Sequence, residues 1–213
     1  MNTLPMRELK NAVIAVVACT VVLGLAYPLV MTGVAQLAFG DKADGSVVER
    51  EGKAVGSRLI GQDFSRETGE TDDVGEPVLE ADPRYFQSRP SVTGYAPNAT
   101  FFNNLGPNQK DLSDLLKENM QAYLDRERPS TPGLTAAKVP PDAVTTSASG
   151  VDPHISEANA LIQANRVAQE RGVDRARVLE LLDDHATRPI LGLAGEKSIN
   201  VLELNLALDA EAR

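Results

Sequence analysis

The sequence predicts an α+β protein with one N-terminal transmembrane helix followed by a single extracytoplasmic α+β domain. Three observations lead to this fold class. No Asp, Glu, Lys or Arg occurs from Asn11 to Gly40, and this run exceeds the roughly 20 apolar residues that cross a bilayer as a helix. The rest of the chain is acidic and interrupted by glycine and proline. Its predicted strands precede a run of helices instead of alternating with them, which is typical of α+β domains.

The charges beside the apolar segment predict its orientation. Arg7 and Lys10 precede it, whereas acidic residues dominate after it. Because positively charged flanks tend to stay in the cytoplasm, we expect residues 1–10 to be cytoplasmic. Residues 11–39 would form a single-pass helix in the cell membrane, and residues 40–213 would form the extracytoplasmic domain.

A cleaved secretory signal is the alternative interpretation of this segment. Arg7 and Lys10 resemble the basic start of a signal, and Gly24-Leu25-Ala26 offers small residues for cleavage. The apolar core of a signal is about 7–15 residues long, but here the apolar run continues to Phe39. This length favours a retained anchor. Gly24 and Gly33 also suit close packing between membrane helices.

Composition excludes several classes of function. The net charge is −9, and the few charged residues before Gly40 are mostly basic, so the exported part is more acidic still. An acidic domain argues against binding nucleic acid, which requires a basic surface. The only cysteine, Cys19, lies in the anchor, and the domain has only His154 and His185 as histidines. A zinc site of the Cys/His kind is therefore excluded, and no metal site is predicted.

The first part of the domain is predicted to be strands and turns. Residues 46–60 read as a short hairpin with a turn over 50–53. Residues 65–83 read as an acidic, solvated loop insertion, because their carboxylates lack the spacing of a calcium loop. Those carboxylates are Glu67, Glu70, Asp72, Asp73, Glu76, Glu80 and Asp82. A turn-rich stretch continues to Asn108.

Helices dominate the second part. Apolar spacing predicts a helix from Asn108 to Arg128, then a proline-rich connection over 129–142 and a strand over 143–147. Three further helices are predicted in the C-terminal part of the sequence. The first starts at Asp152 or Ser156 and ends at Gly172, the second runs from Asp174 to before Pro189, and the third begins near Asn200.

A polar turn carries the residues that most invite a chemical role. Ser147 and Ser149 lie close in sequence to Asp152 and His154. These are the residue types of a Ser-His-Asp triad, so a membrane-anchored extracytoplasmic serine hydrolase is the alternative function. The Gly-x-Ser-x-Gly pattern of a nucleophile elbow is missing, however. Asp152 before a proline is better explained as a helix N-cap. We therefore favour a cap and turn over catalysis and predict no catalytic residues.

The same turn keeps a binding role open. Exposed N–H groups at a helix start, beside serine hydroxyls and Gly150, can hold an anion or a carboxylate of a partner. Gln163 and Arg166 fall on one stripe of the helix that follows. The resulting candidate site for an anion or a partner comprises Ser147, Ser149, Gly150, Asp152, His154, Gln163 and Arg166.

Four segments together resemble the KdpC family, the C subunits of Kdp-type potassium-transporting ATPases. They are Tyr27–Gln36, Gly56–Gln62 joined by Tyr85–Ser91, Val144–Ile155 and Asn200–Asp209. The segments occur in the family's order and span nearly the whole chain, so they are specific in combination. Three features depart from the family pattern: Gly40 where a proline is usual, the long acidic insertion, and Phe101–Asn104 in place of a Gly-Gly-Ser-Asn run.

The resemblance implies a non-catalytic accessory subunit of an ATP-driven complex that imports potassium with high affinity. Its partners would be the potassium-conducting A subunit, the P-type ATP-hydrolysing B subunit and the small F subunit, in a lipid bilayer. The resemblance also implies a catalytic chaperone that assists assembly and raises the ATP affinity of the B subunit. The chain would have no cofactor of its own, with ATP used by the complex and potassium as the transported ion.

The predicted orientation conflicts with one implication of the resemblance. The serine-rich turn with Gln163 is likened in the family to a nucleotide-contacting signature, but an extracytoplasmic domain does not meet cytoplasmic ATP. An extracytoplasmic domain can more easily cap the outer mouth of the potassium-conducting subunit, while the anchor packs against its helices, than contact ATP directly.

Overall fold

A computed structural model describes residues 5–96, 98–101, 104–187 and 195–211. The chain divides into two compact units, Met1–Ala54 and Val55–Arg213. Pro189, which we expected to stop a helix, and Phe102 and Asn103 of the departing run lie outside the described residues.

The first unit confirms the predicted membrane helix. Helix α1, Met6–Cys19, continues through a π-helical segment, Thr20–Ala26, into helix α2, Tyr27–Ala43. Together they form one 38-residue helix, and none of the residues in its most apolar 18-residue stretch is buried against the rest of the protein. Pro28 lies in the first turn of α2 and has no N–H to donate to the preceding turn. The wide π turn lies directly before this proline.

The predicted hairpin is confirmed. Strands β1, Val47–Arg50, and β2, Lys53–Ser57, form a two-stranded sheet. The two residues between them, Glu51 and Gly52, both have positive φ angles of 55° and 75°. Positive φ at both central residues is the signature of the type I′ turn, which matches the twist of a hairpin.

The acidic insertion forms a second hairpin where we expected a loop. Strand β3, Ser65–Thr71, pairs antiparallel with strand β4, Pro77–Ala81, and the register shifts between Glu67 and Thr71. Every residue of β3 after Ser65 is exposed. The hairpin is thus solvated as expected, and backbone pairing orders it although its side chains bury little.

Helix α3, Lys110–Glu127, forms as predicted. The predicted strand over 143–147 is wrong. Pro141–Ala143 is a 3-10 turn, and the carbonyl of Pro141 accepts from the N–H groups of Val144 and Thr145. The two consecutive prolines fix φ near −65° and start this tight turn, so the backbone groups that a strand would use are already bonded locally.

The C-terminal part builds a small sheet covered by helices. Its elements are β5 (His154–Ser156), α4 (Glu157–Arg171), α5 (Arg175–Asp184), β6 (Ala186–Thr187), β7 (Ser198–Asn200) and α6 (Val201–Glu211). The three strands lie in the antiparallel order β5-β7-β6. Helices and strands segregated in this way confirm the α+β class.

Two of the helix caps differ from the predicted ones. Asn108, the expected cap of α3, does not cap it, because the helix begins after Gln109 and has no side-chain cap hydrogen bond. Ser156, not Asp152, caps α4 by accepting from the N–H of Asn159, because strand β5 lies between Pro153 and the start of the helix. Gly172 ends α4 in the left-handed conformation at φ 65°. Asp174 caps α5 by accepting from the N–H of Ala176, as expected.

Two apolar clusters form the core of this unit. The larger one packs α4, α5 and α6 against the sheet, with Ile155 and Ile199 each about 1% exposed or less. Ala160 and Ala164 on α4 are completely buried, and such small side chains let neighbouring elements approach closely. The smaller cluster joins α3 to the segment after it through Tyr123, Leu134 and Val144.

Candidate functional site

The serine-rich turn, which comprises residues 147–154, is held in shape by hydrogen bonds to its own side chains. The N–H of Gly150 donates to Ser147 Oγ at 2.9 Å, and the N–H of Val151 donates to Ser149 Oγ at 3.2 Å. The N–H of His154 donates to Asp152 Oδ1 at 2.9 Å. Both serines therefore act as turn-forming acceptors, which is the turn that the sequence favoured, although Asp152 does not cap α4.

Arg89 clamps this turn from a distant part of the sequence. Its Nη1 donates to Asp152 Oδ2 at 3.1 Å, and its Nη2 donates to Thr145 Oγ1 at 3.2 Å and to the Thr146 carbonyl at 3.3 Å. Sequence reasoning did not assign this role to Arg89. The only signal was its place within the Tyr85–Ser91 segment that resembles the family.

Two close approaches fix the backbone of the turn. Ser91 Oγ donates to the Gly150 carbonyl at 2.5 Å. The N–H of Gly61 donates to the Val151 carbonyl at 2.8 Å, and a Cβ at Gly61 would lie 2.6 Å from the Asp152 carbonyl oxygen. Gly150 itself has φ 74°, a conformation that glycine adopts without strain.

The charge of Asp152 is stabilised within the turn. Partial burial alone would raise the pKa of Asp152, but hydrogen bonds from His154 and Arg89 outweigh it and lower the pKa below the ordinary value of 3.8. His154 Nδ1 lies 3.7 Å from Asp152 Oδ1. The turn thus carries a carboxylate that stays ionised at neutral pH, with a half-exposed imidazole beside it.

The structure does not assemble a hydrolase triad from these residues. Within the part of the chain that it describes, no hydrogen bond joins the His154 ring to Ser147 or Ser149. Ser147 is 7% exposed, and its hydroxyl is already engaged by Gly150. A serine nucleophile needs its base within hydrogen-bonding reach, and this arrangement lacks that contact.

Gln163 and Arg166 share one stripe of α4, as predicted, but the stripe faces the interior. Gln163 is 1% exposed and Arg166 is 4% exposed. Gln163 Oε1 accepts from the N–H of Gln87 at 2.7 Å and from Arg166 Nη2 at 2.9 Å. These two side chains therefore support the fold from inside, whereas Ser149 and His154 lie at the surface.

Arg166 is bonded on every side. Its Nε lies 3.1 Å from both carboxylate oxygens of Glu127, and its Nη1 donates to the carbonyls of Pro83 and Tyr85 at 2.5 and 3.0 Å. Burial lowers the pKa of Arg166, and the charge of Glu127 opposes that shift. The network ties α3 and α4 to the segment that precedes Arg89.

No three His, Cys, Asp or Glu side chains in the described ranges are grouped so that they could hold a metal ion. The turn presents hydrogen-bonding groups and charges. Those groups can hold a polar partner surface or an anion.

Comparison with known proteins identifies the family. Residues 9–210 match the family model described as KdpC, the c chain of the K+-transporting ATPase. The chain belongs to the KdpC family. The potassium-transporting ATPase KdpC subunit of Koribacter versatilis (strain Ellin345) is 41% identical over 205 residues, covering 95% of this chain and 94% of that protein.

Other relatives show the same full-length similarity. The KdpC subunit of Rhodopseudomonas palustris (strain TIE-1) is 43% identical over 208 residues, covering 97% of this chain and 98% of that protein. The KdpC subunit of Cereibacter sphaeroides (strain ATCC 17023) is 40% identical over 205 residues, covering 96% and 98%. The chain is therefore a KdpC subunit of a potassium-transporting ATPase complex, with potassium as the ion that the complex transports.

Proposed function

We propose that this KdpC chain is a non-catalytic accessory subunit that assembles and stabilises the potassium import complex. Its partners are the potassium-conducting A subunit, the P-type ATP-hydrolysing B subunit and the small F subunit. The observation that carries the proposal is the 38-residue apolar helix, whose most apolar window buries nothing within its own chain. Lipid covers such a helix, and its small residues Gly24, Ala26 and Gly33 would let helices of neighbouring subunits approach closely.

The proposed topology puts the N-terminus in the cytoplasm and the domain outside. Arg7 and Lys10 precede the helix, and acidic residues follow it, which supports this orientation. In that arrangement the domain caps the outer mouth of the potassium-conducting subunit. As a catalytic chaperone, the chain would raise the ATP affinity of the B subunit through contacts between subunits instead of direct contact with ATP.

The serine-rich turn is the proposed partner-binding surface. Ser149 is exposed and His154 is partly exposed, so both can reach another chain. Gly150 and Asp152 shape the backbone beneath them, and Gln163 and Arg166 contribute from the interior.

Affinity purification of the full chain from membranes in mild detergent tests this function. We expect the A and B subunits to be recovered with it, and we expect omission of the chain to raise the KM of the complex for ATP. A matched pair, Ser149→Ala and the exposed control Ser113→Ala on α3, would locate the contact. Recovery of the chain without any larger membrane protein would contradict the proposal. External protease that fails to reach the domain in intact cells would contradict the topology.

A further inference from the structure

A small polar cavity of about 240 Å³ lies between α3 and the segments on either side of β3–β4. The residues that matter for its chemistry are Gln62, Asp63, Ser88, Asn119, Tyr123 and Arg126. Its volume is slightly below the about 300–1,000 Å³ typical of pockets for drug-sized ligands. A molecule of a few non-hydrogen atoms fits that size, whereas a nucleoside triphosphate does not.

Arg126 gives the cavity wall an unused set of donors. Its Nε donates to Glu127 Oε1 at 2.8 Å, but the same carboxylate already receives Arg166. Two guanidinium groups thus share one buried carboxylate and leave one positive charge in excess. Among the described residues, nothing accepts from Nη1 or Nη2 of Arg126.

The position of Arg126 is fixed before any ligand arrives. Its guanidinium carbon lies 5.3 Å from the ring centroid of Tyr123, a cation–π distance. The hydroxyl of Tyr123 donates to Asn159 Oδ1 at 3.0 Å, which locks the ring. A planar guanidinium held in this way can bind a carboxylate with two parallel hydrogen bonds.

The same cavity offers unused acceptors. Asp63 Oδ1 accepts from the N–H and the hydroxyl of Ser65 at 3.1 and 2.6 Å. Its second oxygen accepts from no described residue. Asn119 Nδ2 donates to the Val144 carbonyl at 2.9 Å, which leaves its Oδ1 as a further acceptor. The cavity therefore presents one fixed positive charge and one carboxylate oxygen that is still open.

We propose that this cavity binds a small zwitterion of the α-amino acid class. The ligand's carboxylate would bind Arg126, and its ammonium group would donate to Asp63 and Asn119. Single charges of each sign in one small polar cavity match a zwitterion better than a simple anion or cation. This site is separate from the serine-rich turn and does not depend on the accessory role proposed above.

Isothermal titration of the full chain in detergent micelles tests the site, with glycine, acetate and methylamine as the probes. We expect saturable binding of glycine, with acetate and methylamine each at least about tenfold weaker because each lacks one charge-assisted contact. Absence of any saturable glycine binding at millimolar concentrations would overturn the proposal, and so would equal affinity for glycine and acetate.

Three variants assign the contacts. Arg126→Gln should weaken glycine binding at least about tenfold. Asp63→Asn should reduce glycine to the affinity of acetate, and it keeps the acceptor for Ser65. Lys110→Gln is the control. It removes one positive charge from the exposed start of α3, where Lys110 pairs with Asp114, and it should leave the affinity for glycine unchanged.

Unchanged glycine affinity in Asp63→Asn, or an equal loss in Lys110→Gln, would contradict the site. If Arg126→Gln fails to fold by circular dichroism, Asp63→Asn alone decides, because Asp63 lies at the exposed rim.

Discussion

Arg166 on α4 forms an ion pair with Glu127 on α3 that is almost completely shielded from solvent, with side-chain exposures of 4% and 0%. The pair joins the two helices that carry the two apolar clusters. Removing one partner of a buried ion pair leaves the other charge without compensation, which costs far more than the net contribution of the intact pair.

We therefore expect Glu127→Gln to lower the free energy of unfolding by about 3–5 kcal/mol. The variant keeps the shape of the side chain and removes only its charge. Urea unfolding of the full chain in micelles, followed by circular dichroism, would measure the change. Glu118→Gln on the exposed side of α3 is the control and should stay within about 0.5 kcal/mol. A loss for Glu127→Gln no larger than that of the control would show that the pair does not hold the helices together.

Gly61 lies very close to the backbone of the serine-rich turn. An added methyl group there would lie 2.6 Å from a backbone carbonyl of the serine-rich turn, and a backbone atom cannot move aside as a flexible side chain can. We expect Gly61→Ala to destabilise the domain by about 1–3 kcal/mol, the usual cost of overpacking.

Gly106→Ala is the matched control for Gly61→Ala. Its Cβ would meet nothing closer than 3.9 Å, and neither glycine has a strained φ angle. The control should therefore be neutral or slightly stabilising. Thermal unfolding of the two variants, monitored by circular dichroism, separates a steric effect from a general effect of replacing glycine. Equal melting temperatures would contradict the predicted clash.

These contacts show which features the sequence could predict. Periodic apolar residues, Gly172 and Asp174 located helices α4 and α5, because helix formation and capping depend on neighbours in the sequence. Strands β5, β6 and β7 are only two or three residues long. A period of two cannot be recognised in so few residues, so their pairing is decided by tertiary contacts.

In the candidate site, too, local features could be predicted from the sequence and long-range contacts could not. The local turn around Ser147 and Asp152 was predicted from residue types, but the Arg89 clamp joins residues 63 positions apart and leaves no local pattern. The spacing of Gln163 and Arg166 correctly placed them on one face of α4. Spacing alone does not distinguish a polar face in solvent from a polar network in the core, and here the network is internal.

Asp82 should make the stability of the domain depend on pH in the acidic range. Two hydrogen bonds from the Arg84 guanidinium, at 3.0 and 2.7 Å, hold the pKa of Asp82 below its ordinary value of 3.8. A carboxyl whose pKa is lowered by folding contributes stability above its unfolded pKa, and this contribution is lost as the pH falls through the folded pKa.

Asp82→Asn removes that contribution at neutral pH, so the variant should be less stable than the natural chain above about pH 5. The difference should shrink below pH 3.8 as Asp82 becomes protonated. Urea unfolding over this pH range measures it, with the exposed Asp125→Asn as control. A difference between the natural chain and Asp82→Asn that stays constant down to strongly acidic pH would contradict the assignment.

The two serines of the turn allow structure and partner binding to be separated. Ser147 is buried, and its hydroxyl accepts the N–H of Gly150, so Ser147→Ala leaves a buried donor without a partner and should cost about 1–3 kcal/mol. Ser149 is exposed, and Ser149→Ala should change the stability by less than about 0.5 kcal/mol.

If the turn contacts a partner, Ser149→Ala lowers the recovery of the larger subunits without lowering the melting temperature, whereas Ser147→Ala lowers both. Quantitative pull-down and circular dichroism on the same preparations measure the two effects. Unchanged recovery in Ser149→Ala would remove this hydroxyl from the proposed interface and leave the membership of the family intact, because that membership rests on the whole chain and not on one side chain.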